Sequence, residues 1–214
     1  MGDEQMEKIT IYSGECFPLQ PDREEVFGWL RCGEDLPCRA AHESAWDQAV
    51  TLLRQTAAPR AVALRAEADS LILLLTLGER AESQASRLFR LREYILGSLL
   101  NVLCDELLFQ MDHRLTLLLQ RDLAEEGLAM TARTEPGPGF PVAEQRRFLS
   151  MMEHEIPDIR LSEHGVISPA KSMMFRVTLS QGDQGCVSLH DCANCPQKKC
   201  LYRSVKETVR QGIE

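Results

Sequence analysis

From Glu79 to Glu125 the chain contains no proline and is rich in strong helix formers, so helix is the regular structure this stretch favours. Leu88, Leu91, Ile95, Leu96, Leu99, Leu100, Leu103, Leu107, Leu108, Met111, Leu115 and Leu118 recur at helical spacing and make a broad apolar face, with Asn101, Asp105 and Asp112 on another side. A helix that is apolar over most of its circumference has to be covered over most of it. One helix of this length is unusual in a compact domain, which predicts a break near Leu91 to Glu93. Gly97-Ser98 would let a neighbouring element pack closely. Asp105 and Glu106 are adjacent acids, and a solvated polar stripe is favoured over a functional acid pair.

The flanking segments supply the cover. Arg60 to Arg65 partly alternates as a half-buried strand does, and Leu71 to Leu77 is continuously apolar, as in a strand buried on both faces. Met173 to Leu179 is a third strand, rich in aromatic and β-branched residues. Strands, then long helices, then strands predict an α+β fold in which a twisted antiparallel sheet, spanning Arg60 to Leu179, packs against long helices. Upstream, Ile9 to Tyr12 reads as a short strand and Asp22 to Leu30 as a short helix with Asp22 as N-cap. Ala45, Trp46, Ala49, Val50, Leu52 and Leu53 mark a helix from His42 that stops before Pro59. Val142 to Met152 reads as another helix, with short strands at Ile159 to Leu161 and Gly165 to Ile167. The expected organisation is an N-terminal helical or irregular segment over 1–58, an α+β core over 59–182 and a cysteine-rich tail over 183–214.

The chain has 214 residues and a net charge of −8, which argues against a nucleic-acid surface because phosphate binding needs clustered Lys and Arg. The start, Met1-Gly2-Asp3-Glu4, is acidic and lacks a following apolar region, so a cytoplasmic protein with no membrane segment is expected. Its eight cysteines are then reduced thiols or metal ligands rather than disulfides. Cys16, Cys32 and Cys38 are widely spaced and read as ordinary thiols, with metal binding as the minor alternative. Cys186, Cys192, Cys195 and Cys200 are clustered, spaced C-x5-C-x2-C-x4-C. A C-x2-C pair lets two thiolates converge on one metal, as in both zinc and iron–sulfur sites. Lys198, Lys199 and Arg203 could offset the thiolate charge, and His190 reads as an exposed loop histidine.

The stretch Thr131 to Phe140 reads T-A-R-T-E-P-G-P-G-F. Pro136-Gly137-Pro138-Gly139 cannot continue a strand or a helix, so a rigid loop should leave the end of a strand with Arg133 just before it. Exposed backbone beside a guanidinium can receive an anionic or zwitterionic small molecule. A plain strand-to-helix turn is the competing reading.

Three segments in order carry a resemblance: R-x-x-P-G-x-x-x from Arg133 to Phe140, an apolar helix with Gln145, and I-R-L-S-E-H-G-V-I-S-P-A-K-S from Ile159 to Ser172. Together they resemble the reactivation domain of cobalamin-dependent methionine synthase. The resemblance implies a methionine synthase activation domain-like fold and a loop that binds S-adenosylmethionine. It would place Arg133 near the ligand's carboxylate, Pro136, Gly137 and Gly139 in the loop, Phe140 as the nearest aromatic and Ser172 close by. Pro138 stands where the family has a tyrosine. Asp22 and Asp35 are the nearest counterparts of the family's acidic donor-binding segment.

The implied function is that of a stand-alone reactivation factor acting in trans on a corrinoid protein or B12-dependent methyltransferase. There cob(II)alamin, presented by the partner, is reductively methylated with S-adenosylmethionine and an electron from a flavodoxin or ferredoxin. The alternative is a non-enzymatic adaptor with an iron–sulfur cluster or zinc that docks on a corrinoid protein and has lost S-adenosylmethionine binding. The absence of a convincing Ser–His–Asp, Cys–His or paired-carboxylate pattern suits both.

Overall fold

The computed structural model describes residues 8–33 and 36–182. Asp35, His190 and the tail cysteines Cys186, Cys192, Cys195 and Cys200 lie outside the described residues. Five strands form one sheet: β1 (Lys8–Tyr12), β2 (Arg60–Glu67), β3 (Ser70–Thr76), β4 (Leu128–Thr134) and β7 (Ser172–Gln181). Their order is β1-β2-β3-β7-β4, and every neighbouring pair is antiparallel. A short ribbon of β5 (Arg160–Leu161) and β6 (Ile167–Ser168) lies apart from it. The helices are α1 (Arg23–Trp29), α2 (Pro37–Thr56), α3 (Glu79–Arg90), α4 (Tyr94–Glu125) and α5 (Val142–Met151).

All of β3 is buried, as its unbroken apolar run requires, because both faces of the sheet are covered. Leu71, Leu73 and Leu75 face the layer of α2 and α4 together with Ala61, Ala63, Phe175 and Val177. Ile72 and Leu74 face the other way, into a smaller core with Val62, Leu64, Met174, Phe140 and Phe148 of α5. Full burial of each such side chain is worth about 1.5–3 kcal/mol.

The long apolar stretch breaks where its length demands. Leu91 caps α3, Arg92 takes a left-handed conformation with φ +64°, and α4 starts at Tyr94. The turn swings Leu91 and Ile95 outward, so these two members of the expected apolar face lie at the surface. A Cβ on Gly97 would sit 3.3 Å from the Phe89 ring, so the lack of a side chain lets α3 fold back closely on α4. By length and composition α4 could cross a membrane, but 61% of its most apolar stretch is buried inside the protein. Contact with α1, α2, α3 and the sheet accounts for its apolarity.

The N-terminal segment joins this framework, since β1 extends the sheet beyond Arg60 and α2 packs on α4. Helix α2 starts at Pro37, ahead of His42, because proline at the first helical position gives up no needed N–H. Asp22 caps α1, its Oδ1 accepting from the Glu24 and Glu25 backbone at 2.9 and 3.1 Å.

The adjacent acids on α4 diverge instead of sharing a solvated stripe. Asp105 turns to Lys171, while Glu106, only 4% exposed, accepts the Asp22 backbone N–H at 2.6 Å and the Gln110 amide at 2.9 Å. Burial, with Asp22 and Glu25 nearby, pushes the Glu106 carboxyl up from 4.5 to about 7, against the pull of its two hydrogen bonds. The folded protein thus holds a proton that the unfolded chain has already lost. The stability this group contributes is fully present below pH 4.5 and is lost as pH rises through about 7. At roughly 1.4 kcal/mol per pH unit the loss amounts to about 3 kcal/mol. Urea unfolding at pH 5 and pH 8 should show that Glu106→Gln, which keeps an acceptor and cannot ionise, loses less stability across that interval than the wild type.

Candidate functional site

Arg133 lies one residue from the end of β4, opposite Val177 of β7. Strand alternation sends its side chain toward α4, where Nη1 donates to both carboxylate oxygens of Asp112 at 2.9 and 2.6 Å. The guanidinium lies 3.6 Å from the centroid of the Phe175 ring, a cation–π contact. Nε donates to Glu135 at 2.6 Å. The Arg133 and Asp112 side chains are 10% and 3% exposed, whereas Glu135 is 48% exposed. The arginine therefore has one buried carboxylate that orients it and one surface carboxylate that covers it.

Beyond Thr134 the chain turns over the end of the sheet. Residues 135–139 are exposed, and Gly137 and Phe140 exchange backbone hydrogen bonds of 3.2 and 3.1 Å across the turn. Arg176 holds the turn from β7, donating to the Gly139 carbonyl and, at 3.0 Å, to Glu144 of α5. A Cβ on Gly139 would meet Thr134 Cγ2 at 3.0 Å, so this close approach favours glycine. Phe140 is 0% exposed and packs on Phe148 in the α5-side core, its carbonyl accepting from Gln145 at 2.7 Å. Ser172 begins β7, 7% exposed, and its hydroxyl donates to Thr76 at 2.8 Å.

Of the loop residues singled out in the sequence, Arg133 and the backbone of Pro136, Gly137 and Gly139 stand together at one end of the sheet. Phe140 and Ser172 lie near that end but face the interior, with partners of their own. Asp22 spends its carboxylate on capping α1. A second cation reinforces the region: Lys171 is 8% exposed, and its Nζ bonds Asp105 at 2.6 Å and the Asn101 carbonyl at 3.2 Å. Asn101, Asp105 and Asp112 are thus the side of α4 that faces the sheet's buried cations.

Sequence reasoning gave metal binding at Cys32 and Cys38 a minor place and missed their meeting with His42. Cys32, just after α1, meets Cys38 and His42 on the first turns of α2, with their ligand atoms all within 4.8 Å of one another. Cys32 Sγ is 3.5 Å from His42 Nδ1, which contacts the Cys38 carbonyl at 2.7 Å. Burial first, then the hydrogen bond and charge of Cys38, push the Cys32 thiol up to about 11 while Arg39 pulls it down. The signal in the sequence was the i, i+4 spacing of Cys38 and His42, which places both on one helix face.

No family model matches the chain, and no curated protein matches it. Among solved structures it is similar to the crystal structure of the MetH reactivation domain bound to AdoHcy, with a TM-score of 0.53 and 12% identity over 86% of this chain and 81% of that one. The chain has the fold of the MetH reactivation domain. At this identity the reactivation-domain fold is what the likeness carries, and the chemistry has to be argued from side chains.

The buried Arg133–Asp112 pair within that fold gives a direct test. Asp112→Ala leaves a guanidinium buried beside an empty site and should cost about 3–5 kcal/mol. Glu135→Gln removes only a surface partner and should cost less than about 1 kcal/mol. Chemical denaturation of the two variants measures the difference.

Proposed function

We propose that this chain is a reactivation-type partner that acts in trans on a corrinoid protein or B12-dependent methyltransferase and serves reductive methylation of cob(II)alamin. In that reading the cobalamin stays with the partner, and a flavodoxin or ferredoxin supplies the electron in the cytoplasm. No nucleic acid or membrane takes part. The reading also includes an iron–sulfur cluster or zinc on Cys186, Cys192, Cys195 and Cys200.

The observation that carries it is the oriented Arg133 at the mouth of the Pro136–Gly139 loop, on a fold that in the MetH reactivation domain binds AdoHcy. Glu135 rests on Nε where the carboxylate of an amino-acid-bearing ligand would bind, and Asp112 keeps the guanidinium aimed while Glu135 yields. Pro136 and Pro138 add carbonyl acceptors without N–H donors, which suits an ammonium or sulfonium group. S-adenosylmethionine, when bound, supplies an electrophilic methyl group. The part played by this chain is to bind and orient it and to dock on the corrinoid protein.

The adaptor reading, with methyl-donor binding lost, draws on Phe140 and Pro138. The aromatic is buried in the α5-side core, and proline stands at the resemblance's tyrosine position. Calorimetry separates the two. S-adenosylmethionine and its demethylated product should bind in the micromolar-to-millimolar range. Glu135→Gln should tighten binding about fivefold, the equivalent of roughly 1 kcal/mol of competing ion pair, and Arg133→Ala should abolish it. Absence of binding by both wild type and Glu135→Gln at millimolar ligand would leave the adaptor. Conversion of a corrinoid protein's cob(II)alamin to methylcobalamin by a reduced flavodoxin or ferredoxin and S-adenosylmethionine, followed by visible absorption with and without this chain, tests the action in trans.

A further inference from the structure

We infer that Cys32, Cys38 and His42 form a zinc-binding site that uses neither Arg133 nor the tail cysteines as ligands. Its donor set is two thiols and an imidazole, the ligands zinc prefers. Zinc–sulfur and zinc–nitrogen bonds of about 2.3 and 2.0 Å at a tetrahedral angle put sulfur and nitrogen roughly 3.5 Å apart. Cys32 Sγ and His42 Nδ1 are separated by 3.5 Å. The ring already touches the Cys38 carbonyl through Nδ1 at 2.7 Å, a contact that zinc would replace at that nitrogen.

The surroundings suit a charge-neutral centre. Cys32 and His42 are 4% and 6% exposed, and the imidazole packs edge-on against Phe27 at 6.3 Å. Two thiolates in such a place repel each other and are poorly solvated, and a divalent cation cancels both penalties. The Arg39 guanidinium, 3.4 Å from the Cys32 carbonyl and held by Glu24 and Glu43, adds positive potential. Cys38 sits in the first turn of α2, where the helix dipole favours a thiolate. Its partial exposure gives a metal access and leaves the fourth coordination position to water. Cys32 lies beyond α1 and the other two ligands belong to α2, so the ion would tie the two helices together.

The test uses the full chain with Cys186, Cys192, Cys195 and Cys200 all changed to Ser, so that the tail cannot bind metal. After reduction and chelation this variant should take up one equivalent of zinc. Zinc should also slow alkylation of Cys32 and Cys38, mapped by peptide mass, at least tenfold in this variant and in the wild type. Cobalt(II) in place of zinc should give a near-ultraviolet thiolate band that Cys38→Ser or His42→Gln removes. Cys32 is buried, so its own replacement is avoided, and the alkylation readout needs no substitution at the site. No metal uptake by the tail variant would overturn the inference. Equal alkylation rates with and without zinc, or a Cys32–Cys38 disulfide that persists in the reduced and chelated protein, would do the same.

Discussion

The structure depends on the burial of α4. A helix with leucines around most of its circumference is stable in water only if neighbours remove that surface from solvent. Here α2 and α3 cover one side and the sheet covers the other. The sheet can do so because its central strand is apolar on both faces, one face given to α4 and the other to α5. The turn at Leu91 to Glu93 follows from the same constraint, since the chain has to double back for α3 to help cover α4.

The polar residues of α4 then decide where the other elements attach. Asp105 and Asp112 find partners there because Lys171 and Arg133 arrive from β7's entrance and β4's exit to pair with them. Glu106 reaches the opposite way and takes the backbone N–H that opens α1. Buried pairs of this kind contribute little net stability, but a misplaced partner is costly, so they select one register of sheet against helix. Arg133 is held in place by a helix acid far from it in sequence, and the Pro–Gly loop begins from that anchored point.

Likeness to the MetH reactivation domain at 12% identity speaks for architecture. At such an identity the apolar pattern accounts for the shared fold and leaves the ligand set to the individual side chains, because many side chains satisfy a core and few satisfy a site. In this chain an oriented arginine stands at the strand end before the loop, and the loop's aromatic turns inward. The thiols of Cys32 and Cys38 and the imidazole of His42 meet where α1 gives way to α2.

Much of the fold was legible in the sequence. Glu79 to Glu125 dictated buried helices with a break, Leu71 to Leu77 a central strand, Asp22 a helix cap and Pro136 to Gly139 a loop, because periodicity, proline and glycine act through local geometry. The position of Arg133 at the strand end just before that loop was legible too. Contacts between residues distant in the chain were not. Asp105 and Glu106 are neighbours in sequence, and only packing sends one to Lys171 and the other to Asp22. Cys32 and His42 looked like unrelated residues until α1 and α2 docked and brought sulfur and nitrogen to 3.5 Å. Phe140 could as well have faced a ligand as the core, and the space beneath α5 decided it. The sequence by itself determined the elements and the faces they had to bury, since local geometry and hydrophobic periodicity are properties of neighbouring residues. Tertiary structure alone decided which charges, thiols and rings meet, since those distances depend on how separate elements pack.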